Sequence, residues 1–154
     1  MMRRGCMASA CRMTSLGKVL IEEDGGQITR LTVSDSSADS RSGTLDEAFS
    51  QLDEYLSGRR RAFSLDLRPG TEGFADDVLT ALMRVPYGRT VSYRELAEMS
   101  GHPGAQRAAG TAVSRNPIAI FIPCHRVIRS DGSIGGYSMG IDIKRRLLEL
   151  EGVL

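Results

Sequence analysis

One cysteine in this sequence stands directly before a histidine, and the pair has the residue types of a nucleophile and its base. Cys124 and His125 follow an apolar run over 118–122 and a proline. A cysteine attacks as the thiolate, a form that a nearby imidazole favours. Because adjacent side chains of an extended segment point to opposite faces, we expect a water to relay the proton between the two. Glu149 and Glu151 are both candidates for a third group that orients the imidazole.

An inert buried cysteine beside a histidine is the competing structural interpretation of this pair. A metal site is a further alternative, because cysteine and histidine are also the ligands of zinc. The soft ligands of the chain are Cys6, Cys11, His102, Cys124 and His125. None of their spacings matches a zinc motif, so we expect no metal ion. The odd total of three cysteines argues against a disulfide framework and favours a reducing compartment.

Two short helices around a glycine-rich turn are predicted in the second half of the chain. The first is capped by Thr90 or Ser92 and runs through Met99. A turn over 101–104 separates it from a helix over 105–114. This helix-turn-helix pattern is typical of DNA-binding proteins, although many helical cores share it. Further helices are predicted over 73–85 and 143–149, the latter with Leu147, Leu148 and Leu150 facing inward.

The first half of the chain predicts strands and one helix. Two β-rich runs over 18–22 and 27–33 flank an Asp-Gly-Gly turn, which indicates a hairpin. Thr44 is expected to cap a helix over 45–56, which has apolar residues along one face. The alternating apolar residues of 63–67, which are Phe63, Leu65 and Leu67, predict a third strand.

The charge of the chain is unevenly distributed. The 154 residues carry a net charge of +1, which excludes a uniformly polybasic protein. Residues 1–83 hold 10 basic and 13 acidic side chains, whereas residues 84–154 hold 10 basic and 6 acidic ones. The basic second half favours an acidic partner such as nucleic acid. No apolar run approaches the roughly 18 residues of a membrane span, and the first residues lack the apolar core of a secretory signal.

The segment Pro123-Cys124-His125-Arg126-Val127 resembles the active-site motif of the O6-alkylguanine-DNA alkyltransferases, the methylated-DNA–protein-cysteine methyltransferases. The resemblance covers residues 70–152 strongly and residues 13–68 only in layout. Other matching segments are Val85 to Tyr93, Arg107 to Gly110, Asn116-Pro117, Gly136 to Ser138, Leu147-Leu148 and Glu151-Gly152.

This resemblance implies a DNA repair protein that moves an alkyl group from the O6 of guanine to Cys124, irreversibly and once per molecule. It leaves O4-alkylthymine open as a second substrate, and it implies no cofactor. His125 would deprotonate the cysteine through a water, and Glu151, rather than Glu149, would orient the histidine. Asn116 would tie the helix-turn-helix to the active-site segment through backbone hydrogen bonds.

The partner that the resemblance implies is double-stranded DNA containing O6-alkylguanine, bound through the minor groove by a monomer in the cytoplasm, or in the nucleus of a eukaryote. The damaged nucleotide would be flipped out, and Arg107 would fill the gap. The other expected DNA contacts are Tyr93, Arg94, His102 and Ser130. The expected pocket residues are Tyr93, Val127, Tyr137, Ser138 and Met139, the last standing where the family often has a small residue.

These observations together predict an α+β fold with a tail and two lobes. Residues 1–13 are expected to form a disordered tail. Residues 14–68 would form a ribonuclease-H-like lobe of a hairpin, a third strand and a helix. Residues 69–154 would form a mostly helical, winged-helix-type domain for DNA binding and alkyl transfer. The alternatives are a non-catalytic alkyltransferase-like module, a transcription regulator that uses the helix-turn-helix, and a Cys-His hydrolase.

Overall fold

The chain divides into two units, of which the first ends at Gly70 and the second begins at Thr71. The computed structural model describes residues 7–154, so the part of the expected tail over 1–6 lies outside the described residues. A run of three strands precedes the helices, as is typical of the α+β class, and that prediction is confirmed. The expected boundary between residues 68 and 69 lies two residues before the observed division.

An antiparallel sheet forms the first unit, and in the described residues it has three strands. They are β1 (Met7–Thr14), β2 (Gly17–Asp24) and β3 (Gln27–Val33), in that order across the sheet. The predicted hairpin corresponds to β2 and β3. The prediction of a disordered tail is wrong for residues 7–13, because they pair with β2 along their whole length and Ala10 is fully buried.

The third strand predicted over 63–67 is wrong. Leu67 makes only an isolated bridge with Ile28, supported by hydrogen bonds from Ile28 N–H to Asp66 and from Arg68 N–H to Ile28. Phe63 lies against Tyr55 with the ring centroids 5.2 Å apart. The alternating apolar residues are therefore half-buried for reasons other than strand pairing, which period-two patterning alone does not distinguish.

The helix of the first unit, α1 (Gly43–Leu56), packs on the sheet through a buried face. Its N-cap is Ser42 and not the expected Thr44. Ser42 has extended backbone angles, and its hydroxyl accepts a hydrogen bond from the Leu45 N–H at 3.0 Å. The buried residues of α1 are Leu45, Ala48, Phe49, Gln51, Leu52 and Tyr55.

The second unit contains the predicted helix-turn-helix. Its helices α2 (Gly73–Leu82), α3 (Tyr93–Met99) and α4 (Gln106–Ser114) pack against one another. Ser92 caps α3 in a reciprocal pair of hydrogen bonds with Glu95. Among the described residues, no helix is long and apolar enough to cross a membrane.

A short parallel strand pair joins the helix-turn-helix to the segment that carries Cys124. β4 (Val91–Ser92) precedes α3 and pairs with β5 (Val127–Ile128). The last helix, α5 (Ile141–Leu150), begins two residues before the predicted start and ends one residue after the predicted end. Leu147 and Leu148 are buried as expected, whereas Leu150 is only half-buried.

Candidate active site

The segment before Cys124 is buried and contains a strained residue. Ile120 has a φ of 72°, in the left-handed region that a β-branched residue rarely adopts. Residues 118–122 are all at most 2% exposed. Such strain persists only where the surrounding structure fixes the backbone, and it is frequent at functional sites.

Asn116 fixes this backbone through its side chain. Its Nδ2 donates to the carbonyl oxygens of Ile122 at 3.1 Å and Ile118 at 3.5 Å, and its Oδ1 accepts from the Ile118 N–H at 3.0 Å. Asn116 also directly follows the C-cap of α4. The side chain thus joins the end of the helix-turn-helix to the loop that leads to Cys124.

Cys124 is buried at the first position of a 3₁₀ turn, Cys124–Arg126. The prediction of an extended segment is therefore wrong. The Arg126 N–H donates a hydrogen bond to the Pro123 carbonyl at 3.0 Å, which closes the turn. Burial raises the pKa of the Cys124 thiol. Hydrogen bonding by Asn116 and Tyr137 and the charge of Lys144 oppose that rise. The resting sulfur is therefore a thiol that needs a base.

The side chains of His125 and Glu151 form a fully buried pair, with Nε2 and Oε2 2.7 Å apart. Because a carboxylate only accepts hydrogen bonds, Nε2 carries the proton and Nδ1 is the basic nitrogen. Burial lowers the pKa of His125, while Glu151 acts in the opposite direction. Of the two candidate carboxylates, Glu151 lies in the site and Glu149 is exposed.

Two buried cations of the site were assigned no role from the sequence. Arg126 binds Glu151 through two hydrogen bonds, from Nε to Oε1 at 2.9 Å and from Nη2 to Oε2 at 3.0 Å. Lys144 donates to the carbonyl oxygens of Val127 at 2.6 Å and Gly136 at 3.1 Å. The position of Lys144, three and four residues before Leu147 and Leu148, was the available signal that it faces inward.

A cavity of about 270 Å³ opens beside the sulfur. Its lining residues are Tyr93, Gly110, Val113, Ser114, Cys124, Gly136, Tyr137 and Ser138. Burial raises the pKa of Tyr93, and the charge of Arg129 opposes that rise. Gly110 lies against the Tyr93 ring, where a Cβ would make ordinary van der Waals contact at 3.6 Å. Four of the lining residues were not predicted from the sequence, namely Gly110, Val113, Ser114 and Gly136.

Two residues expected in the pocket belong to the hydrophobic core instead. Val127 is 0% exposed because it lies in β5, paired with Val91. Met139 is 6% exposed, and neither residue is in the lining of the cavity. Burial of their apolar side chains is favourable, which explains this position.

The residues expected to contact DNA differ in their exposure and in the contacts that their side chains already make within the protein. Arg107 is exposed in the first turn of α4, three residues before Gly110 and therefore on the same side of the helix as the cavity lining. Arg94 and Ser130 are also exposed, and Arg94 pairs loosely with Glu98. His102, in contrast, bonds to Asp77 at 2.9 Å and lies edge-on to Phe74.

We searched the described residues for clusters of side chains that could bind a metal ion. Among residues 7–154 there is no group of three or more histidine, cysteine, aspartate or glutamate side chains that could hold one. The chemistry available at the site is that of a buried thiol, a neutral imidazole, and a carboxylate that binds both His125 and Arg126.

Comparison with known sequences identifies the family of this fold and site. Residues 73–153 match the DNA binding domain of 6-O-methylguanine DNA methyltransferase, and residues 7–69 match its ribonuclease-like domain. The chain therefore belongs to the 6-O-methylguanine DNA methyltransferase family.

Individual relatives agree with this assignment. A methylated-DNA–protein-cysteine methyltransferase of Mycobacterium leprae is 44% identical in an alignment of 144 positions that covers 88% of this chain and 87% of that protein. One from Methanosarcina barkeri is 52% identical over 105 residues, or 68% of this chain and 66% of that protein. The crystal structure of Mycobacterium tuberculosis OGT in complex with DNA is similar with a TM-score of 0.86 at 37% identity, covering 94% of this chain and 92% of that one.

Proposed function

We propose that this protein repairs DNA by transferring an alkyl group from the O6 of guanine to its own Cys124. The observation that carries the proposal is the position of the Cys124 sulfur in the wall of a cavity beside α4. Membership of a family named for this transfer supports it. A non-catalytic module would not need the cysteine, and a transcription regulator would need neither the cysteine nor the cavity.

The transfer is a displacement at the alkyl carbon. His125 accepts the thiol proton, through a water, at Nδ1, while Glu151 holds the imidazole at Nε2. The sulfur then forms a bond to the carbon as the bond from that carbon to O6 breaks, and the electron pair stays on the guanine. The guanine takes up one proton, so in net terms it gains the proton that the thiol lost. The thioether product is stable, so each molecule reacts once.

The target guanine must leave the duplex before it reaches the buried sulfur. Arg107 fills the gap, because a planar guanidinium both stacks and donates hydrogen bonds. Small exposed side chains beside it on α4, such as that of Ala108, let the helix enter the narrow minor groove. The complex of the M. tuberculosis relative with DNA supports DNA as the partner.

Exposure and position support the remaining assignments of this proposal. Arg94 and Ser130 contact the DNA backbone, and His102 does so once it leaves Asp77. Tyr93, Tyr137 and Ser138 hold the flipped base in the cavity. The protein acts as a monomer in the compartment that holds the DNA, which in a bacterium is the cytoplasm.

The experiment that tests this function is an intact mass measurement after incubation with duplex DNA containing O6-methylguanine. We expect each protein molecule to gain the mass of one methylene, as a methyl group replaces the thiol hydrogen. Cys124→Ser should gain nothing and still bind the damaged DNA. Cys11→Ser, at a cysteine in β1, is the matched control and should gain the same mass as the wild type. An unchanged wild-type mass would refute the proposal.

A further inference from the structure

Arg126 is buried in the second unit, where several groups contact its guanidinium. Its guanidinium donates to the Val85 carbonyl at 2.8 Å, binds both carboxylate oxygens of Glu151, and lies 5.9 Å from the centre of the Tyr87 ring. The residue is only 7% exposed. A guanidinium keeps its charge at any pH that a protein survives, so a permanent cation is built into this site.

Arg126 and His125, the base of the proposed reaction, contact the same carboxylate oxygen of Glu151. Glu151 Oε2 accepts hydrogen bonds from both His125 Nε2 and Arg126 Nη2, at 2.7 and 3.0 Å. A buried carboxylate requires a positive partner. If Arg126 were absent, the imidazole would be the nearest group that could supply the charge, and it would do so by taking a proton on Nδ1.

We propose that Arg126 is a positioning residue that keeps His125 neutral by neutralising the charge of Glu151. The inference rests on the proposed function, in which His125 accepts the proton of Cys124. A protonated His125 would still orient on Glu151, but it would have no lone pair at Nδ1 with which to accept that proton. Arg126 thus lets Glu151 orient the imidazole without turning it into an imidazolium.

Burial and the charged groups near His125 each raise or lower its pKa. Burial is the largest cause that lowers the pKa of His125, Glu151 raises it, and Arg126 and Lys144 lower it. Lys144 reaches the site from α5, where its ammonium bonds to the Val127 carbonyl. Cys124 is a thiol before the reaction, so it adds no charge until it transfers its proton. Arg126 differs from Lys144 because it contacts the same carboxylate as His125.

A purely structural role for Arg126 makes a different prediction. In that case the guanidinium only joins Val85, after α2, to Glu151, after α5. Its loss would lower the alkylation rate by the same factor at every pH. A role in controlling the charge of His125 instead moves the pH at which the rate falls.

The test compares Arg126→Met with the wild type in the full-length protein. The pKa of His125 is measured by NMR of the imidazole, which is tractable because the chain has only two histidines and His102→Asn assigns the second signal. The single-turnover rate on O6-methylguanine DNA is measured over the same pH range. We expect Arg126→Met to raise the pKa of His125 and the midpoint of the acid limb together, by about one unit or more. Arg126→Lys keeps the positive charge, so its His125 pKa and acid midpoint should lie close to those of the wild type.

The outcomes separate this inference from the proposed function. An unchanged His125 pKa in Arg126→Met, or a rate reduced equally at all pH values, would overturn the inference. If Arg126→Met does not fold, Arg126→Gln takes its place, because a neutral amide can still donate hydrogen bonds to Glu151 or to the Val85 carbonyl. The His125 pKa must again rise, and a pKa equal to that of the wild type overturns the inference. If the wild type transfers no methyl group, the proposed function fails while the NMR titration still decides the role of Arg126.

Discussion

Lys144 donates a 2.6 Å hydrogen bond to the carbonyl oxygen of Val127, which joins the last helix to the strand after Cys124. A second hydrogen bond, to the Gly136 carbonyl at 3.1 Å, holds the loop that lines the cavity. Burial lowers the pKa of Lys144 to about 8, and a thiolate at Cys124 would oppose that shift. One ammonium therefore fixes the loop and the reactive segment relative to each other.

Lys144→Met should slow alkyl transfer because the loop loses this anchor. Misplacement of a reacting group by about 1 Å can cost on the order of 100-fold in rate, so we expect a loss of about 10- to 100-fold. The measurement is the single-turnover rate on O6-methylguanine duplex DNA. Lys18→Met, at the other lysine of the chain and in the first unit, is the matched control. Wild-type rates in Lys144→Met would show that the loop needs no such anchor.

The alkylation rate should be independent of pH over a broad interval. Burial lowers the pKa of His125 below its usual 6.5 and raises that of Cys124 above its usual 9.0. Between these limits the thiol is protonated and the imidazole neutral, which is the pair that proton transfer requires. We therefore expect a plateau from pH 6.5 to about 8, where Lys144 begins to lose its proton, with a fall on the acid side as His125 takes up a proton.

A mechanism in which Cys124 loses its proton without help from His125 predicts a different pH profile. If the thiolate formed without help from His125, the rate would rise about tenfold per pH unit across the interval. Stopped-time assays in buffers of constant ionic strength distinguish a plateau from that slope. A steady rise would remove His125 from the role of base.

Arg107→Ala should weaken repair of duplex DNA. Loss of the stacking group should cost about 1–3 kcal/mol in the flipped complex. We expect a correspondingly lower rate on duplex and a smaller effect on single-stranded DNA, where no partner strand has to be replaced. Arg145→Ala removes an exposed arginine from α5 and serves as the charge-matched control. Equal losses for the two variants would mean that Arg107 contributes only its charge.

Gly88→Ala should destabilise the protein and disturb Glu151. Gly88 has a φ of 78°, and its N–H donates to Glu151 Oε1 at 3.1 Å. A Cβ there would lie 3.3 Å from the backbone oxygen of Glu151, closer than is usual. We expect a lower free energy of unfolding, by about 1–3 kcal/mol, and slower alkyl transfer.

A matched glycine separates the two causes of that effect. Gly101 has a φ of 84°, and a Cβ at this position would have no neighbour within 4 Å. Gly101→Ala therefore has the backbone strain without the close contact. In denaturant unfolding, Gly88→Ala should have a lower free energy of unfolding than Gly101→Ala. The reverse order would show that the approach to Glu151 does not matter.

Local signals predicted several elements well and failed where pairing was decided at long range. The hairpin was predictable because its turn is marked by Asp24 and two glycines, and the start of α3 because Ser92 and Glu95 form a capping pair. β1 was missed because its residues have no clear alternation and are fixed only by pairing with β2. The apparent strand over 63–67 failed for the opposite reason, since its alternation has no partner strand to match.

The site was predictable as far as the family motif extends. Cys124 and His125 stand side by side in the sequence, and the resemblance selected Glu151 over Glu149. Spacing alone could not decide between those two carboxylates, because the choice depends on how the end of α5 faces the 3₁₀ turn. The burial of Arg126 was not predictable, because arginine lies at the surface unless a partner is known. The spacing of Lys144 from Leu147 and Leu148 did indicate that Lys144 faces inward, but not which groups it binds.

The most direct test of the central claim locates the transferred group by peptide mass spectrometry after reaction with excess O6-methylguanine duplex DNA. The chain offers three cysteines, Cys6, Cys11 and Cys124, as acceptors. The account predicts one methyl group per protein molecule, all of it on the peptide that contains Cys124, and no further turnover. Methyl groups on Cys6 or Cys11, or continued demethylation of DNA with Cys124 unmodified, would contradict it.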